Sequence, residues 1–119
     1  MTKAKELCTY IMEITQKSPK QFRFTFVARL QNLSLDVIGN IYYANEIFIK
    51  KGDVKSAEKR LVLQHKAIAT VKLIAYFAEM AMKQNCILPK QFEQIANLTT
   101  DCLRLLGGWI NSDKKRLSS

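Results

Sequence analysis

The side chains that could carry out acid–base or nucleophilic chemistry are few and widely separated in this sequence. His65 is the single histidine, and a lone histidine is more often a surface or packing residue than a general base. Glu6 and Glu13 would lie near one face of a helix, but many solvated carboxylates share that spacing. No Gly-rich phosphate loop and no nucleophile elbow occurs. We therefore expect no catalytic residue, no cofactor and no small-molecule substrate, and we predict that the protein is not an enzyme.

The three cysteines also lack a pattern that would give them a chemical role. Cys8, Cys86 and Cys102 are an odd number, contain no CxxC pair and have no clustered histidines. This spacing argues against a disulfide framework and against a metal site. We expect buried or half-buried thiols in a reducing compartment. The N-terminus lacks the apolar run of a signal peptide, so a cytoplasmic location is predicted.

Charge is the most informative feature of the composition. Nineteen Lys and Arg face ten Asp and Glu, which gives a net charge of +9. A small domain with such an excess often binds nucleic acid or an acidic surface.

The elements that position these charges follow from three sets of helix breakers. The chain has 119 residues, 48% of them hydrophobic, with only four Gly and two Pro, which fits one helical domain. Ser18-Pro19, Gly52-Asp53 and Leu88-Pro89 divide it into predicted helices over about residues 2–17, 19–51, 53–85 and 89–110. We predict an all-α fold, an antiparallel up-down-up-down four-helix bundle, over residues 1–111. Residues 112–119 would form a basic C-terminal tail that frays, and the two middle helices should be the longest.

The third predicted helix is too apolar for a simple surface helix. Leu61, Ile68, Ala75 and Met82 recur every seven residues, with Val71 and Ala78 between them. These six residues form its predicted core row, yet further apolar residues lie on other faces. Its most apolar stretch, residues 67–82, is shorter than a typical span and carries two charges, so we expect no membrane partner. Either this helix is central and buried, or it forms a subunit interface. We favour a homo-oligomer.

The second predicted helix carries an apolar stripe from Phe26 to Phe48 and, beside it, a polar row. The structural interpretation of this row is a hydrogen-bonded seam between helices, with an ion pair between Arg29 and Asp36. The alternative is a contact face for a partner protein or RNA. The polar row consists of Arg29, Asn32, Asp36, Asn40 and Tyr43.

In the predicted bundle, most of the basic residues collect at the two ends. Lysine and arginine at such density could neutralise phosphates and release counterions, although charged helix ends can also simply keep a protein soluble. Arg23 belongs to the smaller group, at the end opposite the termini. The larger group of candidate nucleic-acid-binding residues, at the end that holds both termini, is Lys3, Lys5, Lys50, Lys51, Lys55, Lys59, Arg60, Lys114, Lys115 and Arg116.

Several short motifs resemble one bacterial family of four-helix bundles. They are FRFT at residues 22–25, RL at 29–30, LSLDVIGNI at 33–41, ANE at 44–46, LQHKA at 63–67, and Trp109 followed by Ser112-Asp113. The family has two branches: the large-subunit rRNA intervening-sequence protein and the accessory variability determinant of diversity-generating retroelements. The first branch usually carries a Ser-Ile-Pro-like step where this chain reads Val37-Ile38-Gly39. The resemblance therefore favours the retroelement branch.

The resemblance implies a basic, non-enzymatic subunit that forms a ring-like homopentamer. Such accessory determinants associate with an error-prone reverse transcriptase and with RNA or DNA during the synthesis of mutagenised cDNA. Two alternatives stay open: a protein associated with an rRNA intervening sequence, and a protein-interaction scaffold that binds no nucleic acid.

Overall fold

The computed structural model describes residues 1–118, which are helical throughout apart from short connections. The four long helices are α1 (Thr2–Thr15), α2 (Ala28–Asn45), α3 (Val54–Lys83) and α4 (Pro89–Ser118). A 3₁₀ turn (Lys20–Phe22) and a π-helical turn (Arg23–Val27) precede α2. No strand occurs in this part of the chain. The predicted all-α class with four helices is confirmed.

Local sequence signals set the boundary between α2 and α3. Gly52 has a φ of 79°, a left-handed conformation that glycine adopts without strain. Asp53 follows as the N-cap of α3, and its side chain accepts a hydrogen bond from the Ser56 amide at 3.2 Å. An aspartate at this position satisfies one of the unpaired amides of the first turn.

The α3–α4 connection ends one helix and begins the next within a few residues. Asn85 takes a φ of 63°, the amide of Cys86 donates to the Ala81 carbonyl at 2.8 Å, and the amide of Asn85 donates to Met82. This pair of bonds is a Schellman motif with asparagine in the left-handed position. Pro89 then opens α4, and the Gln91 side chain accepts from the Leu88 amide at 2.8 Å, as in a capping box.

The core lies where each helix packs against its two neighbours. The pairs in contact are α1 with α2, α2 with α3, α3 with α4, and α4 with α1. The predicted stripe of α2 is buried at Leu30, Leu33, Val37, Ile41 and Ala44. In the predicted core row of α3, Val71 and Ala78 are buried. Its heptad residues Leu61, Ile68, Ala75 and Met82 are only half-buried, because the face turned inward lies one residue away from them. That buried face consists of Arg60, Gln64, Ala67, Val71, Ile74, Ala78 and Ala81.

Three predicted helix bounds are wrong. α2 begins at Ala28, after the 3₁₀ and π-helical turns, and ends at Asn45, so its stripe does not continue to Phe48. α4 continues to Ser118, with Asp113 buried on its inner face, so residues 112–118 are not a frayed tail; Ser119 lies outside the described residues. The two middle helices are not the longest, because α4 has 30 residues like α3, whereas α2 has 18.

By length and composition, α3 is long and apolar enough to cross a membrane. A core helix of a soluble protein meets the same criterion, and α3 packs against both α2 and α4. The absence of a membrane partner therefore stays a prediction.

Candidate nucleic-acid interface

A buried ion pair joins the start of α3 to the last turns of α4. The Arg60 guanidinium donates to both carboxylate oxygens of Asp113, from Nε at 2.9 Å and from Nη2 at 2.8 Å. Gln64 Nε2 donates to the same carboxylate at 2.8 Å, and the guanidinium carbon lies 4.8 Å from the centroid of the Trp109 ring. Bidentate geometry with further hydrogen bonds is what a buried charge pair needs. The prediction that Arg60 belongs to a nucleic-acid-binding surface is wrong, because only 5% of the residue is exposed.

The same guanidinium also fixes the α2–α3 loop. Arg60 Nη1 donates to the Ile47 carbonyl at 3.0 Å, and Ile49 is buried two residues later. Ile49 shares an apolar groove with Val54 of α3 and Lys114 of α4. The loop, the start of α3 and the end of α4 therefore meet at one end of the molecule.

Seven cationic side chains are exposed around this junction, and we call them the basic cluster. They come from two stretches that are far apart in sequence, residues 50–59 and 114–116, which Arg60 and Asp113 fix to one another. The nearby acidic residues are Glu46, Asp53 and Glu58, so positive charge is in excess; Arg116 Nη2 lies 3.5 Å from Asp113 Oδ1. The basic cluster consists of Lys50 and Lys51 in the loop, Lys55 and Lys59 in α3, and Lys114, Lys115 and Arg116 in α4.

Lys3 and Lys5 do not join the basic cluster. Lys3 Nζ lies 3.1 Å from Glu6 Oε2 and 3.8 Å from Asp101 Oδ2, and its hydrogen bond to Glu6 raises its pKa. Asp101 precedes Asp113 by twelve residues, or about 18 Å of helix. Lys5 shares a groove with residues still earlier in α4, Gln94 and Leu98. The prediction that all ten candidates share one end is wrong for these two lysines, because α1 begins beside the middle of α4.

Arg23 lies at the end of the molecule opposite the basic cluster. The Ser18 hydroxyl donates to the Cys86 carbonyl at 2.8 Å, which places the α1–α2 connection beside the α3–α4 connection. Arg23 is exposed and shares a groove with Lys20 and Phe24. This end carries a smaller set of exposed cations, namely Lys17, Lys20, Arg23, Lys83 and Lys90.

The predicted polar row of α2 faces solvent and is not a buried seam. Arg29, Asn32, Asp36 and Tyr43 are exposed, and Asn40 is half-buried. No ion pair joins Arg29 to Asp36 within residues 1–118. The Arg29 guanidinium lies instead 5.8 Å from the centroid of the Phe77 ring. The expected seam is wrong because the buried face of α2 is already filled by apolar side chains; the alternative, a contact face, stays open.

Sequence reasoning missed two exposed aromatic side chains. Phe48 in the α2–α3 loop is 83% exposed and Phe24 is 87% exposed, although the periodicity of α2 placed Phe48 on its apolar stripe. A usable signal was present, because Lys50 and Lys51 follow Phe48 and a Gly-Asp breaker comes directly after them.

The cysteines and the other possible metal ligands do not form a common site within residues 1–118. All three cysteines are buried, as expected, and they are free. Burial raises the pKa of the Cys86 and Cys102 thiols. Within residues 1–118 no group of three His, Cys, Asp or Glu side chains could hold a metal ion. The absence of an active site stays a prediction from the sequence.

No family model and no curated protein matches this chain. What the chain binds is therefore inferred from its own residues and from the resemblance of its motifs.

Proposed function

We propose that this protein is a non-enzymatic, nucleic-acid-binding accessory subunit that works with an error-prone reverse transcriptase in retroelement-driven sequence diversification. The basic cluster is the observation that carries the nucleic-acid part of the proposal. Seven exposed cations lie on backbone that the buried Arg60–Asp113 pair fixes. Cations held at a fixed site can contact several phosphates of one strand without first ordering a loop. The reverse transcriptase is proposed as a partner because of the family resemblance.

Salt dependence is the direct test of this binding. We expect purified protein to bind RNA or DNA with an affinity that falls by about a thousandfold between roughly 50 and 200 mM salt, because six or more phosphate contacts release their counterions. Filter binding across a salt series measures the slope. A protein-interaction scaffold without nucleic-acid affinity would show no salt-dependent retention, and that result would remove the proposal.

The setting of the gene separates the two branches of the family. A gene beside a reverse transcriptase and an imperfect template repeat supports the retroelement branch, and co-purification with that polymerase would follow. A gene inside an rRNA operon supports the intervening-sequence branch instead.

We further propose that the helices run antiparallel and that the bundle self-associates. Three contacts support the first part: Arg60 near the start of α3 bonds to Asp113 near the end of α4, Gln31 in α2 donates to Thr15 at the end of α1, and Ser18 bonds to Cys86. The second part is supported by an outward-facing apolar stripe on α3. Val62 and Tyr76 in it are about two-thirds exposed. The α3 stripe consists of Val62, Ala69, Leu73, Tyr76 and Met80.

The α3 stripe has the spacing of a helix-pairing seam. Its members are separated by seven, four, three and four residues, which keeps them on one face of α3. Monomeric proteins rarely expose a contiguous apolar surface of this kind. Stacking several copies through it would bury the stripe and bring several basic clusters into one assembly, which would add their fields.

Light scattering tests the self-association. We expect a mass several times 13.7 kDa, five times for the pentamer that the resemblance implies. The double variant Leu73→Glu/Tyr76→Glu should give a monomer, because it places charges in the apolar contact. Thr100→Glu on the exposed surface of α4 is the matched control and should keep the wild-type mass. A wild-type protein that is monomeric at micromolar concentration would contradict this part of the proposal.

A further inference from the structure

Phe48 is a nearly fully exposed aromatic side chain in the loop that carries Lys50 and Lys51 of the basic cluster. Its exposed fraction is 83%, and Lys50 and Lys51 follow it by two and three residues. Glu46, Lys50 and Lys51, the charged residues around it in the chain, are all exposed. A phenylalanine in such a polar neighbourhood keeps its apolar ring in water, so a ligand that covers the ring gains the free energy of removing that area from water.

The backbone around Phe48 is fixed, so the ring's exposure is not the result of a loose loop. On one side, the Ile47 carbonyl accepts a hydrogen bond from buried Arg60, and the amide of Ile47 donates to the Ala44 carbonyl at 3.2 Å. On the other side, Ile49 is 6% exposed, and the amide of Asp53 donates to the Lys50 carbonyl at 3.0 Å. The ring is held outward between two anchored residues.

An outward ring beside two lysines matches the chemistry of an unpaired nucleotide. The face of a base is free to stack on an aromatic side chain only when the strand is single, whereas duplex DNA or RNA offers its phosphates and groove edges. Lysines next to the ring can neutralise the phosphates that flank the stacked base. An apolar groove begins at Ile49, but the exposed cations that follow Phe48 in the chain, Lys50 and Lys51, favour a polyanionic ligand for the ring itself.

We infer that the basic cluster binds single-stranded nucleic acid, with Phe48 stacking on an unpaired base and Lys50 and Lys51 contacting its phosphates. This inference rests on the proposed nucleic-acid-binding function and names the class of strand. It adds a specific recognition element to an otherwise electrostatic surface.

Fluorescence anisotropy with a labelled single-stranded oligonucleotide, and with the duplex of the same sequence, tests the inference. Phe48→Leu keeps an apolar side chain but removes the ring, and we expect it to weaken single-strand binding about tenfold. The same variant should leave duplex affinity unchanged. Phe48→Tyr keeps the ring and should bind like the wild type. Phe24→Leu changes an equally exposed phenylalanine that lies beside Lys20 and Arg23 at the opposite end, and it tests whether the effect is specific to the basic cluster. We expect it to bind the single strand as tightly as the wild type.

The outcomes separate this inference from the proposed function. If Phe48→Leu binds the single strand like the wild type, or loses single-strand and duplex affinity equally, stacking is wrong while salt-sensitive binding still supports the function. If the wild type binds neither oligonucleotide, the proposed function itself fails. Circular dichroism of Phe48→Leu should match the wild type, because the side chain makes little contact with the core.

Discussion

Reversing four lysines of the basic cluster is expected to reduce nucleic-acid affinity by about a thousandfold or more. The variant is Lys50→Glu/Lys51→Glu/Lys55→Glu/Lys59→Glu, and it replaces four attractive phosphate contacts by four repulsive ones. The salt dependence should weaken as well, with the slope of log K against log salt falling by about one for each contact that is lost. Anisotropy titrations at several salt concentrations measure both quantities.

Helicity should survive this charge reversal, because all four side chains are exposed. Arg60 is left intact, since changing it would disturb the fold and obscure the result. The matched control is Lys17→Glu/Lys20→Glu/Lys83→Glu/Lys90→Glu, which makes the same net charge change at the opposite end. Equal losses of affinity for the two quadruple variants would show that net charge alone drives binding, and that the cluster is not the site.

Removing the carboxylate of Asp113 should cause a large loss of stability. Asp113→Ala leaves the Arg60 guanidinium buried and uncompensated, and it removes an acceptor for Gln64. Breaking a buried ion pair from one side costs about 3–5 kcal/mol. For a chain of this size, that loss corresponds to a Tm lowered by more than about 10 °C. Thermal melting followed by circular dichroism measures the change.

An exposed ion pair supplies the control for Asp113. Lys83 and Glu79 lie 3.5 Å apart with both side chains more than half exposed, and such pairs contribute about 1 kcal/mol or less. Glu79→Ala should therefore leave Tm nearly unchanged. The double variant Arg60→Met/Asp113→Leu should recover much of the stability that Asp113→Ala loses, because no buried charge remains unpaired. A Tm for Asp113→Ala close to that of Glu79→Ala would contradict the structural role of the pair.

The helix boundaries that could be predicted are those determined by a few adjacent residues. Gly52-Asp53 and Leu88-Pro89 act through the conformation and hydrogen bonding of a few adjacent residues, so they can be recognised from the sequence alone. The continuation of α4 to Ser118 could not be recognised in this way. Asp113 is held inward by Arg60, a residue 53 positions away, and a polar, basic segment gives no local sign of that contact.

The candidate site was predictable in its charge but not in its membership. Counting lysines and placing them at bundle ends identified the loop and the end of α4. Three predicted residues do not belong to the basic cluster. Lys3 and Lys5 lie away from it because α1 starts beside the middle of α4, and Arg60 lies on the inward face of α3. In α3, apolar residues occupy several faces. Periodicity alone could therefore not distinguish the buried face from the half-buried heptad residues Leu61, Ile68, Ala75 and Met82.

The buried cysteines make this chain convenient for spectroscopic labelling. A thiol must be accessible and ionised to react with a maleimide or a nitroxide reagent, and Cys8, Cys86 and Cys102 are all buried. A single cysteine introduced at an exposed position, such as Asn111 on α4, would be the most reactive thiol of the folded variant. Distances between probes on the subunits of the proposed oligomer could then be measured without replacing any native cysteine.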